Sequence, residues 1–216
     1  MKIKEILNEN NQEERRALAT ACSGLIFAGI LIALSVLIIL KGWEFLEVHS
    51  KVGHCYITSG VLTLVYSACL MVGSVIRILN KNYDLYYLEL IGLGIYGIIT
   101  MWISFAINRL TLGSGDNGDM APSMITTIGV VLIAVAYFFS YKGKFKNNTI
   151  HDLSLAFGII FIIIIGSRMG YYISQIAAGA KLGLPILAII ASICAIDYTI
   201  EATLGIIVEH KKIKQN

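Results

Sequence analysis

Residues 17–40 read ALATACSGLIFAGILIALSVLIIL, a stretch without a charge that is bracketed by Arg16 and Lys41. At about 1.5 Å of rise per residue, a helix of this length spans about 36 Å, more than the roughly 30 Å hydrocarbon layer of a bilayer. Five further stretches meet the same requirement: Val52–Leu79, Leu88–Leu112, Pro122–Tyr141, Leu153–Ala180 and Leu184–Val208. The breaks between them are polar or turn-forming: Lys41-Gly42 followed by Glu44 and Glu47, Asn80-Lys81-Asn82, Gly113–Pro122, Lys142–Asn148 and Lys181–Pro185. Backbone groups in lipid must be satisfied within their own segment, so the spans are expected to be helices, being too few and too long for barrel strands. The expected fold is all-α, a polytopic integral membrane protein built as a bundle of six transmembrane helices.

The composition supports that class. Of the 216 residues, 56% are hydrophobic and 14% charged, against roughly 25% charged in soluble proteins. The mean hydropathy is +0.75. A chain of this size cannot hide so much apolar surface inside one water-facing globule. The net charge of +3 is small and dispersed, which argues against nucleic acid as a partner. The same composition excludes a disordered chain and a disulfide-stapled secreted fold.

Lysines and arginines set the expected orientation. Lys2, Lys4, Arg15, Arg16, Lys81, Lys142, Lys144, Lys146, Lys211, Lys212 and Lys214 fall on one side of the six spans. Only Lys41, Lys51 and Lys181 fall on the other, apart from residues within helices. The positive-inside rule then places both termini in the cytoplasm. Residues 1–16 read as a cytoplasmic segment, either an interfacial helix with Ile3, Ile6 and Leu7 on one face or a solvated tail. Residues 17–208 form the single membrane domain, and 209–216 a basic cytoplasmic tail. The first apolar run is too long for the core of a signal peptide, and no lipidation signal is present. The abundance of Ile, Lys and Asn fits an AT-rich genome, hence a bacterial plasma membrane.

No cofactor or metal is expected. Cys22, Cys55, Cys69 and Cys194 lack the paired spacing of a metal site, and the four histidines are scattered. No catalytic residue is assigned either. Tyr83-Asp84 and Gly113-Ser114-Gly115-Asp116 resemble the paired motifs of intramembrane aspartyl proteases. The third span separates the two aspartates by a membrane thickness, so they cannot form a dyad.

The charges inside the last two spans carry the expected site. Arg168, Asp197 and Glu201 lie at depths of about 15, 20 and 25 Å from the outer ends of their helices. Asp197 and Glu201, four residues apart, share a helix face. Charges at such depth cost several kcal/mol and are expected to face the interior, either as a helix-pairing ion pair or as a binding site. Tyr171, Gln175 and Tyr198 add polar tips nearby. Gly166 and Gly170 form a GxxxG pair that draws the fifth helix onto the sixth or marks an oligomer seam. Tyr96, Thr100 and Ser104 recur every four residues, which makes the third span an interior helix, while the nearly apolar fourth span is expected to contact lipid most.

Three readings of function follow. The first is a small transporter, or the membrane-embedded binding subunit of one, for a small polar or anionic solute or a cation. In its size, its six spans and the alanines Ala17, Ala19 and Ala21 of the first span, the chain resembles the substrate-capturing subunits of energy-coupling-factor vitamin importers. That likeness covers no ligand motif. It implies that any ATP coupling comes from a partner subunit, since no Walker motif is present. The alternative is a non-catalytic membrane subunit, sensor or immunity protein that meets a second copy or a partner membrane subunit. There the buried charges would only pair helices. A lipid-modifying enzyme, with His49, His54, Glu44 and Glu47 near the outer surface, is the third and weakest option.

Overall fold

The computed structural model describes the backbone of residues 12–80, 86–112, 120–141 and 149–215. These residues form six helices, and among the described residues there is no strand: α1 (Gln12–Leu46), α2 (Ser50–Asn80), α3 (Tyr86–Leu112), α4 (Met120–Tyr141), α5 (Thr149–Ala177) and α6 (Gly183–Gln215). Each expected span matches one helix. Five of the six, α1, α2, α3, α5 and α6, contain within their described residues a segment long and apolar enough to cross a membrane. Helix α1 starts at Gln12, so residues 12–16 are its first turn, and the basic tail continues α6. Residues 1–11 lie outside the described residues.

Helix α5 ends at Ala177 rather than Ala180, and the reason is local. Gly179 has φ of +83°, a left-handed conformation that glycine adopts without the steric penalty of a side chain. The Ala180 N–H donates to the Gln175 carbonyl and the Gly179 N–H to the Ile176 carbonyl, both at 3.0 Å. This Schellman pair satisfies carbonyls that the last turn would otherwise leave open.

Neighbouring helices run antiparallel. Gly42 faces Gly53 across α1 and α2, Arg77 faces Glu89 across α2 and α3, and Met101 faces Thr126 across α3 and α4. Each helix packs against its chain neighbours, α6 closes onto α1, and α3 touches α6 across the middle. The end holding the α1–α2 and α5–α6 turns is called here the hairpin end. Helix α4 is peripheral, packed chiefly on α3 and α5 and presenting Ile125, Ile128, Val131, Leu132 and Val135 outward. That is the position its sequence leads one to expect.

The tightest contact joins α1 to α2. A methyl group added at Gly53 would stand 2.7 Å from the Leu46 nitrogen and 2.9 Å from the Gly42 oxygen, and one at Gly60 would stand 3.0 Å from the Ser35 oxygen. Backbone meets backbone there, so nothing can give way. Ala17, Ala21 and Ala28 of α1 are likewise buried, whereas Ala19 and Ala33 are exposed. Polarity is turned inside out relative to a soluble protein. Thr20, Ser35, Thr63, Ser67, Thr126, Thr199 and Thr203 are buried, whereas long rows of Ile, Leu and Val face outward. Many buried hydroxyls donate to a carbonyl three or four residues back, as Thr63 does to Ser59 and Thr199 to Ala195, which spares them an unsatisfied site in an apolar environment.

Gly53→Ala should therefore cost about 1–3 kcal/mol through overpacking, read as a lowered thermal midpoint in detergent. Gly29→Ala, where an added methyl meets nothing within 4 Å, should leave the midpoint unchanged or raise it.

Candidate functional site

Phe161, Ile165, Arg168, Tyr172 and Gln175 recur every three or four residues, so they share one face of α5. That face lines a cavity of about 220 Å³ reaching from the hairpin end to the middle of the bundle, with walls from α1, α2, α3, α5 and α6. Helix α3 contributes the Tyr96, Thr100 and Ser104 face read from its sequence. Helix α6 contributes Ala188, Ala191 and Ala195. These small side chains, all buried, leave the space that a leucine or phenylalanine would fill.

The lining is graded. Lys41, Tyr56, Asn108, Arg168, Tyr171 and Gln175 stand toward the hairpin end, a belt of hydroxyls including Ser59, Thr63, Thr100 and Ser104 follows, and Phe27, Leu31, Leu93 and Phe161 form the floor. Arg168 Nη1 donates to Ser104 Oγ at 3.2 Å, bridging α5 to α3. Lys41 Nζ stands 5.1 Å from the Tyr56 ring centroid and 5.9 Å from that of Phe45, distances at which a ring face attracts a cation. Gln175 Nε2 donates to Tyr171 Oη at 2.7 Å. Deeper in, Thr63 Oγ1 and Tyr96 Oη share a hydrogen bond of 3.2 Å, and Tyr96 stacks on Tyr66 with centroids 4.3 Å apart. The lining includes two cations and not one carboxylate.

The structure divides the residues expected to act together. Arg168, Tyr171 and Gln175 line the cavity; Asp197, Glu201 and Tyr198 do not. Asp197 is exposed on the outward stripe that carries Ile186, Ile190, Ile193 and Ile200, where its Oδ2 accepts a 2.6 Å hydrogen bond from Ser23 of α1. Glu201 follows one turn on, half-buried. Tyr198 lies fully buried beneath the floor, its ring 6.0 Å from Phe27. The expected pairing of Arg168 with Asp197 is thus corrected. The two do share a zone of depth, but Asp197 follows Ala195 by two residues, about 200° around the helix, and so points away from the cavity. Gly166 and Gly170 also differ from one expectation, since both are exposed and neither draws α5 onto α6. Asp84 and the Gly113–Asp116 motif lie outside the described residues.

Sequence reading missed two features. Lys41 counted only as a loop cation, although α1 continues past it to Leu46 and carries it into the cavity wall. Arg77 and Glu89 were not singled out, yet Arg77 is 1% exposed and its Nη1 lies 2.9 Å from Glu89 Oε2. Their near-equal distance from the α2–α3 connection was the available signal, because antiparallel helices bring such positions level.

Removing one partner of a buried pair strands the other charge. Arg77→Met should lower stability by about 3 kcal/mol or more, and Arg77→Met with Glu89→Leu should recover most of the loss in a double-mutant cycle. Additive losses would show that the pair is not a unit.

Comparison of the chain with protein families, curated proteins and solved structures finds no match.

Proposed function

We propose that the chain is an integral membrane protein of six spans that binds a small polar or anionic solute in the cavity, as a small transporter or as the membrane-embedded binding subunit of one. The observation that carries this reading is the lining itself, with Lys41 and Arg168 present and no acid among them. In a weakly polar surrounding, two cations in a lining without an acid favour an anion over a cation, and the Arg168 fork suits a carboxylate or a phosphate. With both termini cytoplasmic, by the lysine and arginine bias, the hairpin end faces outward and the solute enters from outside. A bacterial plasma membrane fits the composition. Energy coupling, where it exists, belongs to a partner subunit.

An assembly role has its own supporting observation. Asp197 on the outward stripe of α6 and the exposed Gly166–Gly170 pair of α5 mark faces open to a second copy or a partner helix. The two readings are compatible, since a binding subunit of a larger transporter needs both a cavity and a docking face.

Reporter fusions should place both termini in the cytoplasm, and an external terminus would reverse the direction of entry. In a background with the four native cysteines replaced, Ser104→Cys should react with a membrane-impermeant maleimide added from outside. Arg168→Gln or Lys41→Gln should weaken anion binding at least tenfold, read by calorimetry on nanodisc-embedded protein. A Ser104→Cys variant that stays unlabelled, together with unchanged binding in the two glutamine variants, would remove the cavity as a solute site.

A further inference from the structure

The cavity's two ends differ in kind, and the difference constrains the solute. Lys41 and Phe27 are fourteen residues apart on α1, about 21 Å of helix, and Arg168 stands about 10 Å above Phe161 on α5. Both cations lie at or above the hydroxyl belt. Below it the floor is Phe27, Leu31, Leu93 and Phe161; of the α6 alanines Ala195 stands nearest to it, because Gly158 of α5 meets Thr203 of α6 and this register sets Ala188 and Ala191 above the level of Arg168. A compact anion would use only the upper end. A solute with a second charged group at its far end would have to desolvate that group beside the phenyl and leucyl side chains of the floor, with only the Thr63 and Tyr96 hydroxyls near that level and those two already bonded to each other, at a cost of several kcal/mol. The volume is about 220 Å³, below the roughly 300–1,000 Å³ of ordinary ligand clefts, which leaves room for one chain or one flat ring.

Resting on the reading of the cavity as a solute site, we propose that it takes a slender amphiphile with a single anionic head. The head sits between Lys41 and Arg168, and the apolar tail passes Ala195 toward Phe27 and Phe161. Ala195 then sets the length of tail accepted. The same chemistry is found in free short-chain or aromatic carboxylic acids and in the single-chain acids of membrane lipid.

The test uses the full chain in nanodiscs and straight-chain carboxylates from acetate to hexadecanoate, with succinate, phenylpropanoate and octylamine beside them. Affinity should rise about three- to fourfold per methylene, then stop rising at a chain length well short of hexadecanoate. Ala195→Phe should move that break to a shorter chain while acetate binds as before; Ala195→Leu serves the same purpose should the phenylalanine variant fail to fold. Lys41→Gln and Arg168→Gln should weaken every carboxylate, and octylamine and succinate should bind at least tenfold more weakly than octanoate. A break at medium chain length identifies the free acids. Affinity rising without a break through hexadecanoate, unmoved by either alanine variant, would mean partition into lipid and overturn the proposal. Acetate or succinate binding as tightly as octanoate would overturn the amphiphile and leave the anion cavity standing. Failure of every anion to bind a protein that remains folded would remove both.

Discussion

A buried polar group among helices with apolar outer faces has no bulk water to turn to, so its position is fixed by where it finds another partner. Short side chains solve this on their own helix. Thr20, Ser35, Ser67 and Thr203 each donate to a carbonyl within the preceding turn. Longer ones must reach a second helix, and each such reach ties two helices together: Arg77 of α2 to Glu89 of α3, Ser23 of α1 to Asp197 of α6, Arg168 of α5 to Ser104 of α3. The first two stand on seams between helices already in contact. The third bridges α5 and α3 at a level where both helices line the cavity, so the cation that would recognise an anion also spans the space the anion would enter.

Small residues serve two opposite ends in this bundle. At Gly42, Gly53 and Gly60 they let α1 and α2 meet backbone to backbone, a contact no side chain could survive. On the inner face of α6 they do the reverse, since Ala188, Ala191 and Ala195 hold the helix in place without filling the space before it. Open volume forgoes dispersion contacts and is not a neutral feature of a close-packed interior.

The helices were legible because length and hydropathy depend only on distance along the axis. Depth along a helix was legible for the same reason, which is why the sequence set Arg168 and Asp197 in the same zone. The direction each side chain takes around its axis was not. In a soluble helix an apolar stripe reveals the inner face. Helix α6 is apolar nearly all round, with almost no amphipathic contrast, so nothing in its pattern separates Ala195, which faces the cavity, from Asp197, which does not. Helix α3 was an exception, because Tyr96, Thr100 and Ser104 supply polar marks on one face, and that face does line the cavity. Arg77 and Glu89 were hidden by another habit of reading, which assigns charges near span ends to the interface when a short connection can bring them level and bury them.

The separation of the carboxylates from the cavity is what gives its charge a consequence. At a spacing of 4 Å and an effective dielectric of about 20, one acid would offset an adjacent cation by about 4 kcal/mol. Such an acid beside Arg168 would make a closed ion pair, the arrangement the sequence suggests, and an anionic solute would have to break it before binding. The acids within the described spans stand outside the lining. Glu89 is taken up by Arg77, Asp197 by Ser23 on an outward face, Glu201 lies one turn farther from the cavity, and Glu44, about one turn beyond Lys41 on α1, is exposed. Lys41 is held by ring faces, and Arg168 donates to a serine hydroxyl. A lining that positions two cations and carries no acid is the condition under which they select for the sign of a solute rather than merely hold helices together.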